Sequence, residues 1–210
     1  SEIVLPTDRH RTAVCCLSSL NLEYFDEWKN DPQFLQDVAE MLDNVLDYFI
    51  KEAPTTIQRA KYSAMRERAI GIGALGFHAY LQSKHIPFES ALAKSANMKM
   101  FSHIEKGLAA ANLLLGKLRG EAPDMKGTGK RFSHMMAIAP NASTSIIMNN
   151  TSPAIELYRA NAFRQDTMSG SSLLKNRFLD KIIRKEQEEK GHSESWYEEQ
   201  WSSIISTDGS

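Results

Sequence analysis

The chain has 210 residues, of which 42% are hydrophobic and 24% are charged, so it can bury a core, and one domain is the expected number. Its formal net charge of −1 argues against nucleic acid as a partner, because phosphate backbones are bound by clustered excess Lys and Arg. No apolar run approaches the roughly 18 residues needed to cross a bilayer, and no basic-then-apolar leader is present. We therefore expect a soluble cytoplasmic protein without a membrane partner.

The only two cysteines of the chain are adjacent, at Cys15 and Cys16. Two residues cannot build a disulfide framework or supply the four ligands of a structural zinc site. A bond between neighbours would close a strained ring. Any cysteine chemistry therefore needs a thiol from outside the chain, and the scattered histidines predict no metal site.

The first part of the chain predicts two short strands, residues 3–5 and 13–17, separated by a polar turn. A helix follows that ends at Pro54, because apolar residues recur there at three- and four-residue spacing. These are Leu35, Val38, Met41, Leu42, Val45, Leu46 and Phe49.

The rest of the chain predicts short buried strands separated by helices, a pattern typical of an α/β fold. The expected order is a helix over 57–67, a strand over 69–73, a helix over 77–83, a long helix over about 90–118 capped by Ser90, a loop over 121–130, a strand over 135–139, a helix over 171–190 and a last helix capped by Ser193.

The strand at residues 135–139 runs into a turn of small and hydroxyl-bearing residues, Pro140, Asn141, Ala142, Ser143, Thr144 and Ser145. If a helical turn begins near Ser143, its backbone N–H groups, the hydroxyls beside them and the helix dipole converge on one point, which suits a phosphate. The alternative is an ordinary helix cap, which the same residue types also form.

Three segments resemble a known family and follow one another along the chain in the order that this family has. They read Ala-Pro-Asn-Ala-Ser-Thr-Ser145, Ser-Glu-Ile-Val-Leu-Pro6 and Thr12-Ala-Val-Cys-Cys-Leu-Ser-Ser-Leu-Asn21. The chain resembles the large catalytic subunit of ribonucleotide reductases, in its substrate-phosphate loop, in the residues after its radical-carrying cysteine and in the strand that bears one redox cysteine. The resemblance implies a helix-rich α/β fold, the second half of the ten-stranded barrel of that family, with residues 1–210 as one partial catalytic domain.

The resemblance also assigns roles to individual residues. It implies that Cys15 supplies half of the dithiol that reduces the substrate, with Cys16 facing away because alternate strand residues point to opposite faces. Glu2 is implied to exchange a proton with a ribose hydroxyl, a task that suits a carboxylate. Pro140, Asn141, Ala142, Ser143 and Thr144 are implied to bind the substrate phosphate, mainly through backbone N–H groups.

The implied activity is reduction of ribonucleoside diphosphates by thiyl-radical chemistry, with no cofactor bound by this chain itself. A metal-containing small subunit is expected to supply the radical, as in class I enzymes, and a thioredoxin- or glutaredoxin-type dithiol to be the reductant. The radical cysteine is expected immediately before Ser1, so the chain is predicted to be a fragment that needs the remaining parts of the large subunit. Since Ser after a catalytic Cys is also what an intein leaves downstream, an interrupted gene is one hypothesis for its origin.

Two other functions fit the same sequence. In the first, the chain is a non-catalytic phosphate- or nucleotide-binding module, with Glu2 and Cys15 only structural. In the second, it is a helical scaffold in which the hydroxyl-rich turn merely caps a helix. The gene neighbourhood separates them: an upstream piece that ends in Asn-x-Cys and a downstream piece that carries paired tyrosines would identify the reductase.

Overall fold

A computed structural model describes residues 2–168 and 170–209 of the chain. The chain divides into two compact units, Ser1–Ile155 and Glu156–Ser210. The predicted single domain over residues 1–210 stays a prediction. The strands are β1 (Cys16–Asn21), β2 (Ile70–Leu75), β3 (Ala162–Thr167) and β4 (Gly170–Lys175). The helices are α1 (Phe25–Trp28), α2 (Phe34–Glu52), α3 (Gln58–Glu67), α4 (Phe77–Ser83), α5 (Ala91–Arg119), α6 (Ala142–Ile147), α7 (Arg177–Lys190) and α8 (Glu194–Ser206).

Strands β1 and β2 pair in parallel, with Cys16 opposite Ile70 at one end and Asn21 opposite Leu75 at the other. The strand predicted over residues 13–17 corresponds to β1 and was placed too early. Residues 3–5 form no strand, and the prediction there was wrong. Parallel pairing needs a crossover of a dozen or more residues, which α1, α2 and α3 supply here.

The segment predicted as a strand over residues 135–139 follows the free edge of β2 with only one bridge, between Ile72 and Met136. The Ile72 N–H donates to the Met135 carbonyl at 2.8 Å, and the Ala137 N–H donates to Ile72 at 3.3 Å. Beyond this bridge the Ala137 carbonyl lies against Gly73, where an added Cβ would approach it to 2.2 Å. A regular strand over this range was therefore a wrong prediction.

The helices cover one face of this sheet. Alternate strand residues, among them Leu20, Ile70 and Ile72, belong to the buried core, and Cys16 packs against it. The predicted apolar stripe of α2 is confirmed at Leu35, Leu42 and Leu46, which are buried. Two other members of that stripe, Met41 and Val45, are exposed at 49% and 46%, because the face that α2 turns to the core is narrower than the stripe.

A buried ion cluster joins α2 to the ends of three other elements. Asp43 is fully buried and accepts hydrogen bonds from Arg68 at 2.9 Å, Arg119 at 2.9 Å and Arg131 at 3.1 Å. Burial raises the pKa of Asp43, but the three arginines outweigh it and hold that pKa below its ordinary value. One carboxylate therefore stays charged and links α2 to the start of β2, the end of α5 and the loop beyond it.

Several predicted helices are confirmed with their caps. Helix α4 occupies Phe77–Ser83, as predicted. The N-cap of α5 is Ser90, whose hydroxyl accepts from the Ala93 N–H, and Ser193 caps α8 in the same way through Trp196. Such hydroxyls satisfy backbone donors that a helix cannot satisfy itself.

In the unit Glu156–Ser210, the helix predicted from Ser171 begins only at Arg177. Residues 170–175 instead form β4, which pairs antiparallel with β3. The Asn176 side chain accepts from the N–H groups of Phe178 and Leu179, and this cap fixes where α7 begins. Leu173, whose position also fits the apolar face of the predicted helix, is half exposed on the strand. Within the described residues, no helix is long and apolar enough to span a membrane.

Candidate functional site

Cys15 lies directly before β1, on the face of the sheet that the helices leave uncovered. Cys16 packs against the helix-side core, so its predecessor along an extended chain points the other way. Leu17 and Gly71 share that opposite face, since an added Cβ on Gly71 would lie 2.6 Å from a Leu17 methyl group. This placement is the one that strand alternation predicts for Cys15.

Charge and burial keep the Cys15 thiol protonated. Burial raises the pKa of Cys15, and the neighbouring Cys16 and the carboxylate of Glu2 raise it further. Burial also raises the pKa of Cys16, against the opposing charge of Arg68. The charge of Glu2 thus acts on Cys15, although Glu2 itself is exposed. A thiol in this state retains its hydrogen at neutral pH.

The second predicted group of site residues forms a tight turn and the start of α6, one residue earlier than the expected Ser143. The first hydrogen bond of this helix joins the Ser145 N–H to the Asn141 carbonyl at 2.8 Å. The preceding N–H groups, of Ala142, Ser143 and Thr144, therefore have no partner within the helix. No side chain caps this end.

The side chains of the turn divide into two sets. Ser143 and Thr144 are exposed, and their hydroxyls make no hydrogen bond within residues 2–168 and 170–209. Asn141, in contrast, is buried, and its amide donates to the carbonyls of Ala74 at 3.2 Å and Ala139 at 2.8 Å. The Ser145 hydroxyl donates to Ala142 within the helix. Asn141 and Ser145 thus hold the turn, whereas Ser143 and Thr144 offer their donors to solvent.

Two hydroxyl residues that sequence reasoning gave no role support this end of the sheet. Ser152 is fully buried, and its hydroxyl accepts from the Ala79 N–H in the first turn of α4. Thr151 donates to the Glu23 carboxylate at 2.7 Å. Nothing in the sequence around Thr151 and Ser152 indicates a capping role toward distant parts of the chain.

The two groups of predicted site residues lie at opposite ends of the sheet. Ser18 pairs with Ile72, which is bridged to Met136, so these three residues are level. Cys15 is three residues before this level, and Pro140 is four residues after it on the neighbouring segment. The charge of Glu2 therefore acts on Cys15, whereas the turn with Ser143 and Thr144 lies apart from both cysteines. Among the described residues, no three His, Cys, Asp or Glu side chains are grouped so that they could hold a metal ion.

Comparison with known proteins gives concordant matches. The family model for the barrel domain of ribonucleotide reductase matches residues 1–129 and 122–207. The ribonucleoside-diphosphate reductase large subunits of Invertebrate iridescent virus 3 and 6 are 59% and 55% identical to the chain over 210 residues. Both matches cover 100% of this chain but 33% and 21% of the viral proteins.

A solved structure is similar over the whole chain as well. The Actinobacillus ureae class Id ribonucleotide reductase alpha subunit matches with a TM-score of 0.85 and 37% sequence identity. The match covers 100% of this chain and 37% of that one. The chain thus spans about a third of the length of that subunit. The predicted fold class, a helix-rich part of an α/β barrel, is confirmed, and the chain belongs to the ribonucleotide reductase barrel-domain family.

Proposed function

We propose that this chain is part of the catalytic barrel of a ribonucleoside-diphosphate reductase, in which Cys15 is one of the two thiols that reduce the substrate. The observation that carries the proposal is the position of Cys15, on the face opposite the helix-side core, in a chain whose family is established. A half-buried, protonated thiol suits this task because it still holds the hydrogen that a reduction must deliver.

The proposed step balances with one further thiol from outside the chain. Cys15 and that thiol together give up two electrons and two protons and become a disulfide. The ribose loses its 2′-hydroxyl as water and gains hydrogen at that carbon. Glu2, next to Cys15, would exchange a proton with a ribose hydroxyl during the departure of water. An external thioredoxin- or glutaredoxin-type dithiol would then reduce the disulfide, in the cytoplasm, where thiols are kept reduced.

We further propose that the turn Pro140–Thr144 binds the substrate diphosphate. The three unpartnered N–H groups of Ala142, Ser143 and Thr144 and two exposed hydroxyls form a cluster of donors without competing carboxylates among them. Asn141 would not bind the phosphate through its side chain but would fix the turn to β2. We propose a metal-containing small subunit as the radical source, in keeping with the similarity to a class Id alpha subunit.

The test replaces each cysteine in turn in the assembled enzyme, made of this chain, the rest of a large subunit, the small subunit and a dithiol reductant. We expect Cys15→Ser to abolish turnover, because no disulfide can form. We expect Cys16→Ser, the matched control one residue away, to remain active. An inactive Cys16→Ser with an active Cys15→Ser would show that the other cysteine is the redox residue. Full activity of both variants, with diphosphate binding retained, would favour a phosphate-binding module.

A further inference from the structure

The chain between Glu2 and Cys15 is folded into a closed turn. The Ala13 N–H donates to the Thr7 hydroxyl at 3.0 Å, and the Asp8 N–H donates to the Arg11 carbonyl at 3.0 Å. The Asp8 carboxylate accepts from the N–H groups of His10 at 2.6 Å and Arg11 at 3.0 Å. A side chain that bonds to backbone donors two and three residues onward stabilises a local turn. The turn therefore sends the chain back toward its start. Ile3, the residue after Glu2, lies on the same face of the sheet as Leu17, because an added Cβ on Gly71 would meet the side chains of both, at 3.1 and 2.6 Å.

The side chain of Arg11 ties this turn to the rest of the unit. Its guanidinium donates to Glu67, at the end of α3, at 3.1 Å and to Asp124 at 2.8 Å. It also lies over the Tyr62 ring, 5.5 Å from the centroid. The Arg11 side chain is 16% exposed and that of Glu67 only 5%, so water screens the contact little. Three side chains from two elements thus hold one residue of the turn.

A neighbouring arginine in the same turn has no comparable anchor. The Arg9 Nε donates to the adjacent His10 ring at 2.8 Å, both side chains are exposed, and no ion pair joins Arg9 to a carboxylate in the described part of the chain. Arg9 and Arg11 therefore have the same side chain, on the same turn, with different attachments. This pair offers a matched control.

We propose that Arg11 is a positioning residue, which sets the distance between Glu2 and Cys15 by anchoring the turn between them to Glu67 and Asp124. The proposal rests on the proposed function, since Glu2 and Cys15 matter for turnover only in a reductase. It adds a residue that touches neither substrate nor the reacting atoms. A planar guanidinium bound to two carboxylates and stacked on an aromatic ring fixes direction as well as distance.

The effect on chemistry follows from how sharply reaction rates depend on geometry. A displacement of about 1 Å can cost roughly 100-fold in rate. Without its anchor, the turn no longer holds the Glu2 carboxylate and the Cys15 thiol in one arrangement. The diphosphate turn lies at the other end of the sheet, so substrate binding should be unaffected. In the assembled enzyme we expect Arg11→Met to lower kcat about 10- to 100-fold with the KM unchanged, Arg11→Lys to recover part of the loss, and Arg9→Met to leave both constants unchanged.

A second experiment measures the placement of Glu2 relative to Cys15 without relying on turnover. The rate at which iodoacetamide alkylates Cys15 in the assembled subunit, followed against pH by peptide mass spectrometry, reports the pKa of this thiol. The charged and titratable groups acting on it are Glu2 and Cys16, so Cys16→Ser is used as the background throughout. Glu2→Gln should lower the pKa of Cys15, because a nearby negative charge is lost. Arg11→Met should lower it by the same mechanism, and the double variant should lower it no further than Glu2→Gln alone.

These outcomes distinguish the proposal from a merely structural role. If Arg11→Met leaves the alkylation profile unchanged while Glu2→Gln moves it, or if the two shifts add, Arg11 does not act through Glu2 and the proposal is overturned. Should Arg11→Met lose its fold, Asp124→Asn removes one half of the anchor and should cause a smaller shift in the same direction. A wild-type enzyme without reductase activity would overturn the proposed function, but the alkylation cycle would still test the placement of Glu2 by Arg11.

Discussion

At the scale of the residue, one position along an extended chain separates two thiols of different character. Cys16 packs on the helix-side core, whereas Cys15 lies on the opposite face, where the charge of Glu2 acts on it. Strand alternation predicts this division without a structure. The electrostatic contact with Glu2 could not be predicted in the same way, because it depends on a turn closed by Asp8 and held by Arg11.

The side chains of the turn after residue 139 also have roles that the local sequence does not predict. Their sequence suggests a uniform row of hydrogen-bond donors. In the structure, Asn141 and Ser145 are buried and hold the turn, whereas Ser143 and Thr144 are exposed. The carbonyl groups that receive the Asn141 amide belong to Ala74 and Ala139, and one of them is distant in sequence. Local composition therefore predicts the position of a phosphate-type turn, not the task of each residue in it.

The exposed hydroxyls lead to a prediction about substrate binding. A charge-assisted hydrogen bond contributes about 1.5–3 kcal/mol, so Thr144→Val should weaken diphosphate binding by the assembled enzyme roughly 10- to 100-fold. Ser143→Ala should weaken it to a similar or smaller degree, because backbone donors remain. Calorimetric titration with a ribonucleoside diphosphate measures the Kd, and the melting temperature serves as control, since neither hydroxyl holds a hydrogen bond in the described residues. A large loss of stability with unchanged affinity would make the hydroxyls mere helix caps.

At the scale of the element, the helices are the part that sequence patterns predict best. Helices α4, α5 and α8 occupy their predicted ranges because a cap or a glycine marks their ends locally, as Ser90 and Ser193 do. The hairpin of β3 and β4 was missed because Leu173 and Leu174 also fit a helical stripe. Pairing with the neighbouring strand β3 decided between the two, and periodicity within one segment does not contain that information.

The buried cluster around Asp43 gives a prediction about the stability of these elements. Asp43→Asn leaves three arginines around an uncharged side chain, and breaking a buried ion pair in this way costs about 3–5 kcal/mol. Native-state hydrogen exchange of the β2 amides in the assembled subunit measures this loss. Asp47→Asn, which removes a half-exposed partner of Arg68, should cost less than about 1 kcal/mol. Equal losses in the two variants would contradict the central role of Asp43.

The same cluster predicts a direction for pH dependence. The pKa of Asp43 is lower in the folded chain than its ordinary value of 3.8, so its contribution to stability is present above that value and is lost as the pH falls through the folded pKa. The stability of Asp43→Asn should therefore fall less steeply in acid than that of the wild type.

At the scale of the whole molecule, composition argued against nucleic-acid-binding and membrane-spanning proteins. The number of strands in the barrel could not be predicted from this chain. The unit Ser1–Ile155 contains two paired strands and one segment that is attached to them by a single bridge. The assignment came from three motifs in a fixed order, and the matches over 100% of the chain agree with it. The proposed reaction then needs parts that lie outside these 210 residues, because Cys15 and Cys16 are the only cysteines.

Formation of deoxyribonucleotide from a labelled ribonucleoside diphosphate tests the central claim most directly. It is measured with the purified 210-residue chain alone and with the chain assembled into a large subunit, each with small subunit and dithiol reductant. We expect no product from the chain alone, since it holds one half of the dithiol and no separate radical cysteine. The assembled enzyme should form product, and Cys15→Ser should abolish it. Product from the chain alone, or an assembled enzyme as active with Cys15→Ser as without it, would contradict the account.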